Sequence, residues 1–252
     1  MSASAYYQQI TSVLERIRAT QMPKIEEAGA RIATAIEKGG FAFLYGSGHS
    51  VIPVMDVFPR YGSFVGLVPL YDPRLMWSNV VGPGGARELL WIERREGYAP
   101  VFLQSYALRR GDCFVVFSHG GLNAAPIEAA LYAKERGLTV ITVSSLANAA
   151  VAKPTHSSGR KLSDVADIAI DNCVAPEDSQ VDVGRPEKVA AGSTMAVVYV
   201  AMSLVAETGA RLMAKGVQPI TFVSPNVSGI APDHNPRVFE AYARRLAERG
   251  AP

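Results

Sequence analysis

Two short polar segments carry the residues best suited to chemistry. Gly46-Ser47-Gly48-His49-Ser50 follows the apolar run Phe41–Tyr45, and Ser118-His119-Gly120-Gly121-Leu122-Asn123 follows Cys113–Phe117. Each reads as a buried strand, a tight loop and then a helix. Small residues let the backbone approach a ligand closely, and free N–H groups at a helix start, with hydroxyls beside them, suit an anion such as phosphate. Two such loops in one chain predict a pocket for a phosphorylated or otherwise polar small molecule. The dinucleotide reading fails in detail. The third glycine of Gly-x-Gly-x-x-Gly falls on Val51, and no acidic residue ends the strand near Val65–Pro69 to meet a ribose. Asn123 also sits where it would cap the following helix. Ser118 ends its strand at the carboxyl edge of the sheet, where open α/β proteins bind ligands.

Positioning these loops requires an alternating framework. Strands are predicted at 41–45, 65–69, 113–118, 138–144 and 165–170. Helices are predicted at 51–59, 86–97, 124–136, 192–214 and 236–249. An N-terminal helical segment, 3–38, carries isoleucines at helical spacing, with a break or kink expected at Pro23 and an end at Gly39-Gly40. Alternating strands and helices predict a parallel sheet covered on both faces. Residues 145–163 and 171–191 lack periodicity and read as long ordered loops. The Pro- and Gly-rich stretch 71–85, flanked by Trp77 and Trp91, reads as a lid or an oligomer contact. No linker divides the chain, so 1–252 is taken as one domain.

Composition narrows the classes. Apolar residues make up 48% and charged residues 19% of 252, which fits a filled core rather than disorder. Net charge is +2 without a basic block, which argues against a nucleic-acid partner. The longest apolar stretch, Met195–Met202, is too short for a membrane span, and the N-terminus has no leader pattern; a cytoplasmic protein is expected. Cys113 and Cys173 each read as a buried free thiol.

Seven segments, in order over residues 41–240, resemble the sugar isomerase (SIS) domain family, and in particular its stand-alone bacterial phosphosugar-binding branch. They are Gly46–Ser50, Ser118–Asn123 with Glu128, Ala133-Lys-Glu-Arg-Gly137 with Val140-Ile141, His156–Leu162, Ala166–Asn172, Gly192-Ser193-Thr194, and Ser224-Pro-Asn226 with Asp233-His234-Asn235. The resemblance implies a three-layer αβα sandwich with a central parallel sheet, binding a sugar phosphate at the strand ends, often at a dimer interface. It implies that Ser47, Ser50 and Ser118 hold the phosphate. Gly46, Gly48, His49, His119, Gly120, Gly121 and Asn123 of the same loops complete the substrate-binding candidates, joined by Ser193 and Thr194 at the start of a long helix, one of whose hydroxyls is also expected to cap that helix. Where the family's second loop reads Ser-x-Ser-Gly this chain has Gly120 in place of the second hydroxyl, so a carboxylate, a sulfonate or a neutral sugar also comes into question.

Aldose–ketose isomerisation moves a proton between adjacent carbons and needs a carboxylate or His beside them. The candidates are Asp56, Glu93, Glu128 and His234, with Glu96 close to Glu93 in sequence. Elimination or ether cleavage would begin with the same proton abstraction, and a non-catalytic sensor is the rival class. No cofactor is expected. No metal is expected either: relatives carry a further His where Val51 stands, and the four histidines show no ligand spacing on one helix. A homo-oligomer is expected from the apolar surface of the N-terminal helix and of the helix after Gly192.

Overall fold

A computed structural model describes residues 2–76 and 82–250, with backbone alone over 82–86. The chain opens with α1 (Ser2–Glu37), then β1 (Ala42–Gly46), α2 (Val51–Val57) and β2 (Leu67–Pro69). Next come α3 (Gly82–Glu93), α4 (Tyr98–Leu103), β3 (Cys113–Phe117), α5 (Ala124–Glu135) and β4 (Thr139–Ser144). It continues through α6 (Leu146–Val151), α7 (Leu162–Val165), β5 (Ile168–Asp171), β6 (Ser179–Val181) and β7 (Val189–Ala191). It ends with α8 (Ser193–Ala214) and α9 (His234–Arg249).

β1 to β5 form one parallel sheet in the order β2-β1-β3-β4-β5. Side chains alternate across it, as the two-residue repeat of a strand requires. Leu44, Val115, Phe117, Ile141 and Ile170 face a core closed by α1, α2 and α8. Phe43, Tyr45, Phe114, Val116 and Val140 face a second core closed by α3, α4, α5 and α7. The result is the αβα sandwich that the alternation predicts.

Several local expectations change. α1 runs unbroken through Pro23. A proline inside a helix costs about 3 kcal/mol. Ile17, Ile25 and Ile32, each at most 2% exposed, offset it at roughly 1.5–3 kcal/mol apiece. Gln21 Oε1 accepts from Asp171 N–H (3.0 Å) and Lys24 Nζ donates to the Ala169 carbonyl (2.8 Å), which fixes the helix to β5 on both sides of the proline. The helix predicted to reach residue 97 ends at Glu93, where Arg95 N–H turns back to the Ile92 carbonyl (2.9 Å). Gly97, at φ +85°, then starts α4, which the sequence reading missed. The stretch 145–163 contains α6, and 171–191 folds as the antiparallel pair β6–β7. Cys113 is buried and Cys173 only half-buried, and both thiols are free. Burial pushes the Cys113 thiol up to about 12. Of the proposed lid, residues 77–81 lie outside the described residues; Trp91 is exposed with Arg95 stacked on it at 4.2 Å. α8 is long and apolar enough to cross a membrane by length and composition alone, but it is a covering helix of the sheet, packed on α1 and α2.

Candidate functional site

The strand order places a reversal between β1 and β3. From β1 the chain moves outward to β2, then crosses back to β3 on the other side. The connections leaving the carboxyl ends of β1 and β3 therefore diverge and leave a crevice, the usual ligand position in an open α/β sheet. Both small-residue loops open into it.

The first loop depends on glycine. A Cβ on Gly46 would lie 2.1 Å from the Ser50 carbonyl oxygen, so only glycine lets the chain fold back, and Gly48 takes φ +57°. Ser47 is 5% exposed and donates its hydroxyl to Glu93 Oε1. Ser50 precedes α2 without using its side chain as a cap, while His49 is exposed. In the second loop, Ser118 Oγ accepts from Gly121 N–H (3.2 Å), with Gly121 at φ +61°. His119 is half-buried; its Nδ1 lies 3.1 Å from Asn172 Nδ2, and its buried Nε2 has no partner. The Gly120 carbonyl accepts from Asn148 Nδ2 (3.0 Å).

Asn123 occupies the cap position of α5 but makes no cap bond. Its amide donates instead to Glu93 Oε2 at 2.6 Å. Glu93, 9% exposed at the end of α3, thus has one oxygen on each loop. A carboxylate this buried, held by two donors at the mouth of the crevice, is suited to proton transfer. Glu93 is thus not a solvent-facing helix residue, and Glu128, also 9% exposed, is buried as well.

A second group adjoins the first. Glu128 Oε1 accepts from Gly97 N–H (2.6 Å), and its buried Oε2 has no partner. His156 Nε2 lies 3.7 Å from Glu128 Oε1 and 3.8 Å from Glu96 Oε2. Glu96 takes both the hydroxyl and the N–H of Ser157, each at 2.6 Å, and these bonds hold its pKa below the ordinary carboxylate value. Glu96, Glu128 and His156 are the residue types that ligate metals, with ligand atoms within 4.8 Å of one another, although Ser157 already engages both Glu96 oxygens. Tyr45, at the end of β1, has a fully buried hydroxyl without a partner. Burial above all, then the charge of Glu93, pushes its pKa well up. Tyr45 and the pairing of His156 with Glu128 went unassigned in the sequence. The only available signals were a tyrosine ending an apolar strand and a histidine within the matched segment 156–162.

The remaining candidates make their contacts elsewhere. Neither Ser193 nor Thr194 caps α8 with its own side chain, contrary to expectation. Asp178 does so from a distance: its Oδ1 accepts from Ser193 N–H (2.7 Å) and Gly192 N–H (3.1 Å), and Ser193 Oγ donates to its Oδ2 (2.9 Å). Thr194, half-buried, follows in the first turn of α8, a helix that packs against the turn 48–50 of the first loop. Asp56 pairs with Arg60 at 2.6 Å on the exposed side of α2. His234 Nε2 meets the Thr221 carbonyl at 2.8 Å. Asp56 and Asn235 share a groove with Phe239, where Asp56 accepts from Arg60 and Asn235 exchanges hydrogen bonds with the Val223 backbone.

The chain is 33% identical over 245 residues to a UPF0309 protein of Caldanaerobacter subterraneus subsp. tengcongensis, covering 96% of this chain and 97% of that one. A phosphoheptose isomerase from Francisella tularensis superposes with TM-score 0.52 at 13% identity, over 82% of this chain and 96% of that one. A phosphoheptose isomerase from Neisseria gonorrhoeae gives 0.51 at 16%, over 83% and 96%. At such identities the likeness is one of fold. Residues 5–145, from α1 through β4 and including both loops, match the SIS domain, and the chain belongs to that family.

Proposed function

We propose that the crevice between the two loops binds a phosphosugar or a related acidic sugar derivative, and that Glu93 moves a proton between adjacent carbons of it in an aldose–ketose isomerisation. The observation that carries this reading is the buried Glu93 carboxylate, spanning Ser47 and Asn123 at the point where the strand order reverses. SIS family membership and the fold shared with two phosphoheptose isomerases support a sugar phosphate as the ligand class.

In this reading the anionic end of the sugar sits against the helix starts after β1 and β3. Ser50 and Thr194 hydroxyls and the Gly120 N–H are the donors offered to it. Glu93 takes the proton from the carbon next to the carbonyl and returns it to the neighbouring carbon. That exchange also needs a proton to pass between the two substrate oxygens. Glu128 with His156 is the second group for that transfer, and for ring opening. Asp56, and His234 beside Asn235 in sequence, serve the reaction only where a second subunit brings its crevice to the groove of Asp56 and Asn235. An elimination would use the same first step and differ in the leaving group.

Thermal-shift screening against sugar phosphates, sugar acids and sulfosugars tests the reading. A true ligand raises the melting temperature with the logarithm of its concentration above its dissociation constant. Sugar phosphates should stabilise most, and Asn123→Ala should reduce the shift. A panel in which no sugar derivative stabilises the protein would overturn the proposal.

A further inference from the structure

A concentration of positive charge lies at the opposite edge of the sheet from the crevice. Its walls come from the end of α1, the turn before β3 and one side of α9. Six cationic side chains, Lys38, Arg109, Arg110, Arg244, Arg245 and Arg249, line a cavity of about 590 Å³. Two acidic residues, Asp112 and Glu248, oppose them. The local excess is four charges, twice the +2 of the whole chain.

The cations divide into a fixed floor and an open rim. Arg249 is 9% exposed and forks onto Asp112, which also accepts from the Phe41 and Arg109 N–H groups. Asp112 is therefore fully engaged and cannot neutralise the rim. Arg245 donates to the Ile36 (2.8 Å) and Gly40 (2.6 Å) carbonyls, and its Nε is buried without a partner. Burial first, and Arg249 beside it, lower its pKa from the ordinary guanidinium value, an unfavourable state that an anion would relieve. At the rim, the side chains of Lys38, Arg110 and Arg244 make no hydrogen bond or ion pair among the described residues. Ala35, Val65, Ile220 and Ala241 also line the cavity and give it apolar surface.

The geometry points to a second binding site, for a nucleoside di- or triphosphate. Three unpaired cations call for at least two negative charges. The cavity exceeds what inorganic phosphate fills and lies within the range of small-molecule sites. The apolar part of the lining suits the flat face of a base. The five residues of β1 separate this cavity from the crevice by about 16 Å, so the two sites do not share a ligand.

Binding of AMP, ADP, ATP, inorganic tripolyphosphate and a short DNA duplex to the full chain, by calorimetry and thermal shift at low salt, tests this. ADP and ATP should bind saturably, more tightly than AMP and more tightly than tripolyphosphate. Lys38→Ala with Arg244→Ala, both at exposed positions, should leave the unliganded melting temperature in place and weaken ATP binding by about tenfold per side chain removed. Glu93→Gln should leave ATP binding unchanged. The proposal fails if neither ADP nor ATP binds, or if the double variant binds as the parent does. It fails too if Glu93→Gln abolishes binding, which would put the nucleotide in the crevice. Tripolyphosphate or DNA binding as tightly as ATP would overturn the nucleotide assignment.

Discussion

At the scale of the residue, Glu93 is the most constrained polar group of the crevice. Its two oxygens are claimed by Ser47 and by Asn123 at 2.6 Å, so its direction is set by both loops at once. Glu93→Gln keeps the shape. The amide oxygen can still accept from Asn123, and the amide nitrogen can donate to Ser47 once that hydroxyl turns. The variant should therefore fold and bind sugar phosphate within a few-fold of the parent. Turnover should fall by about 100-fold or more, because a positioned acid–base group contributes about 10²–10⁴. Single-turnover kinetics on a sugar phosphate found by thermal shift would measure this. Unchanged turnover would move the base elsewhere, with Glu128 the next carboxylate to examine.

At the scale of the element, α8 shows how a helix can be started by a residue far from it in sequence. Asp178 lies 15 positions before Ser193 yet satisfies two of the first N–H groups of α8 and receives the Ser193 hydroxyl. It does so from φ +62°, a conformation that Asn tolerates and Ala resists. Asp178→Ala should cost about 2 kcal/mol, roughly one for the lost cap and one for the backbone. Asp178→Asn should recover most of that. Urea denaturation separates the two, and an Ala variant as stable as the parent would show that α8 does not depend on this contact. The same contact marks the boundary of what was legible. The five parallel strands and the five helices named in advance follow local periodicity, and each appears within a few residues. Capping of α8 by the hydroxyl of Ser193 or Thr194 was the local inference, and it failed because the acceptor arrives from Asp178 beside the β6–β7 pair, whose fold leaves no periodic signal. Asn123 failed as a cap for the same reason: Glu93, 30 residues away, competes for its amide. The two loops themselves were legible because glycine and serine at a strand end are local features. The Glu128–His156 approach was not, because it joins α5 to an aperiodic stretch.

At the scale of the whole molecule, the apolar surface beside the crevice bears on assembly. α2 and α8 pack together, and they leave Ile52 (37%), Met55 (48%) and Met195 (48%) exposed at the end where the first loop lies. Asp56 is on the same short helix, and its groove also carries the exposed rings of Tyr61 and Phe239. A monomer gains nothing from exposing large apolar side chains in a cluster, whereas a two-fold contact would bury them twice over. Such a contact over α2 would also bring the Asp56 groove toward a second crevice and so give Asp56 and the nearby His234 access to substrate. Light scattering at micromolar concentration should therefore give at least twice the 27.0 kDa of one chain. Ile52→Glu with Met195→Glu places charges in the centre of that contact and should weaken association by about 30-fold or more, the effect of losing a hot spot. The dissociated variant should keep its circular dichroism, because both side chains are solvent-facing in the monomer. It should also lose turnover at dilutions where the parent retains it. A parent that sediments as a monomer would remove the assembly and, with it, the case for Asp56 and His234. A dimer untouched by the double variant would place the contact on another face.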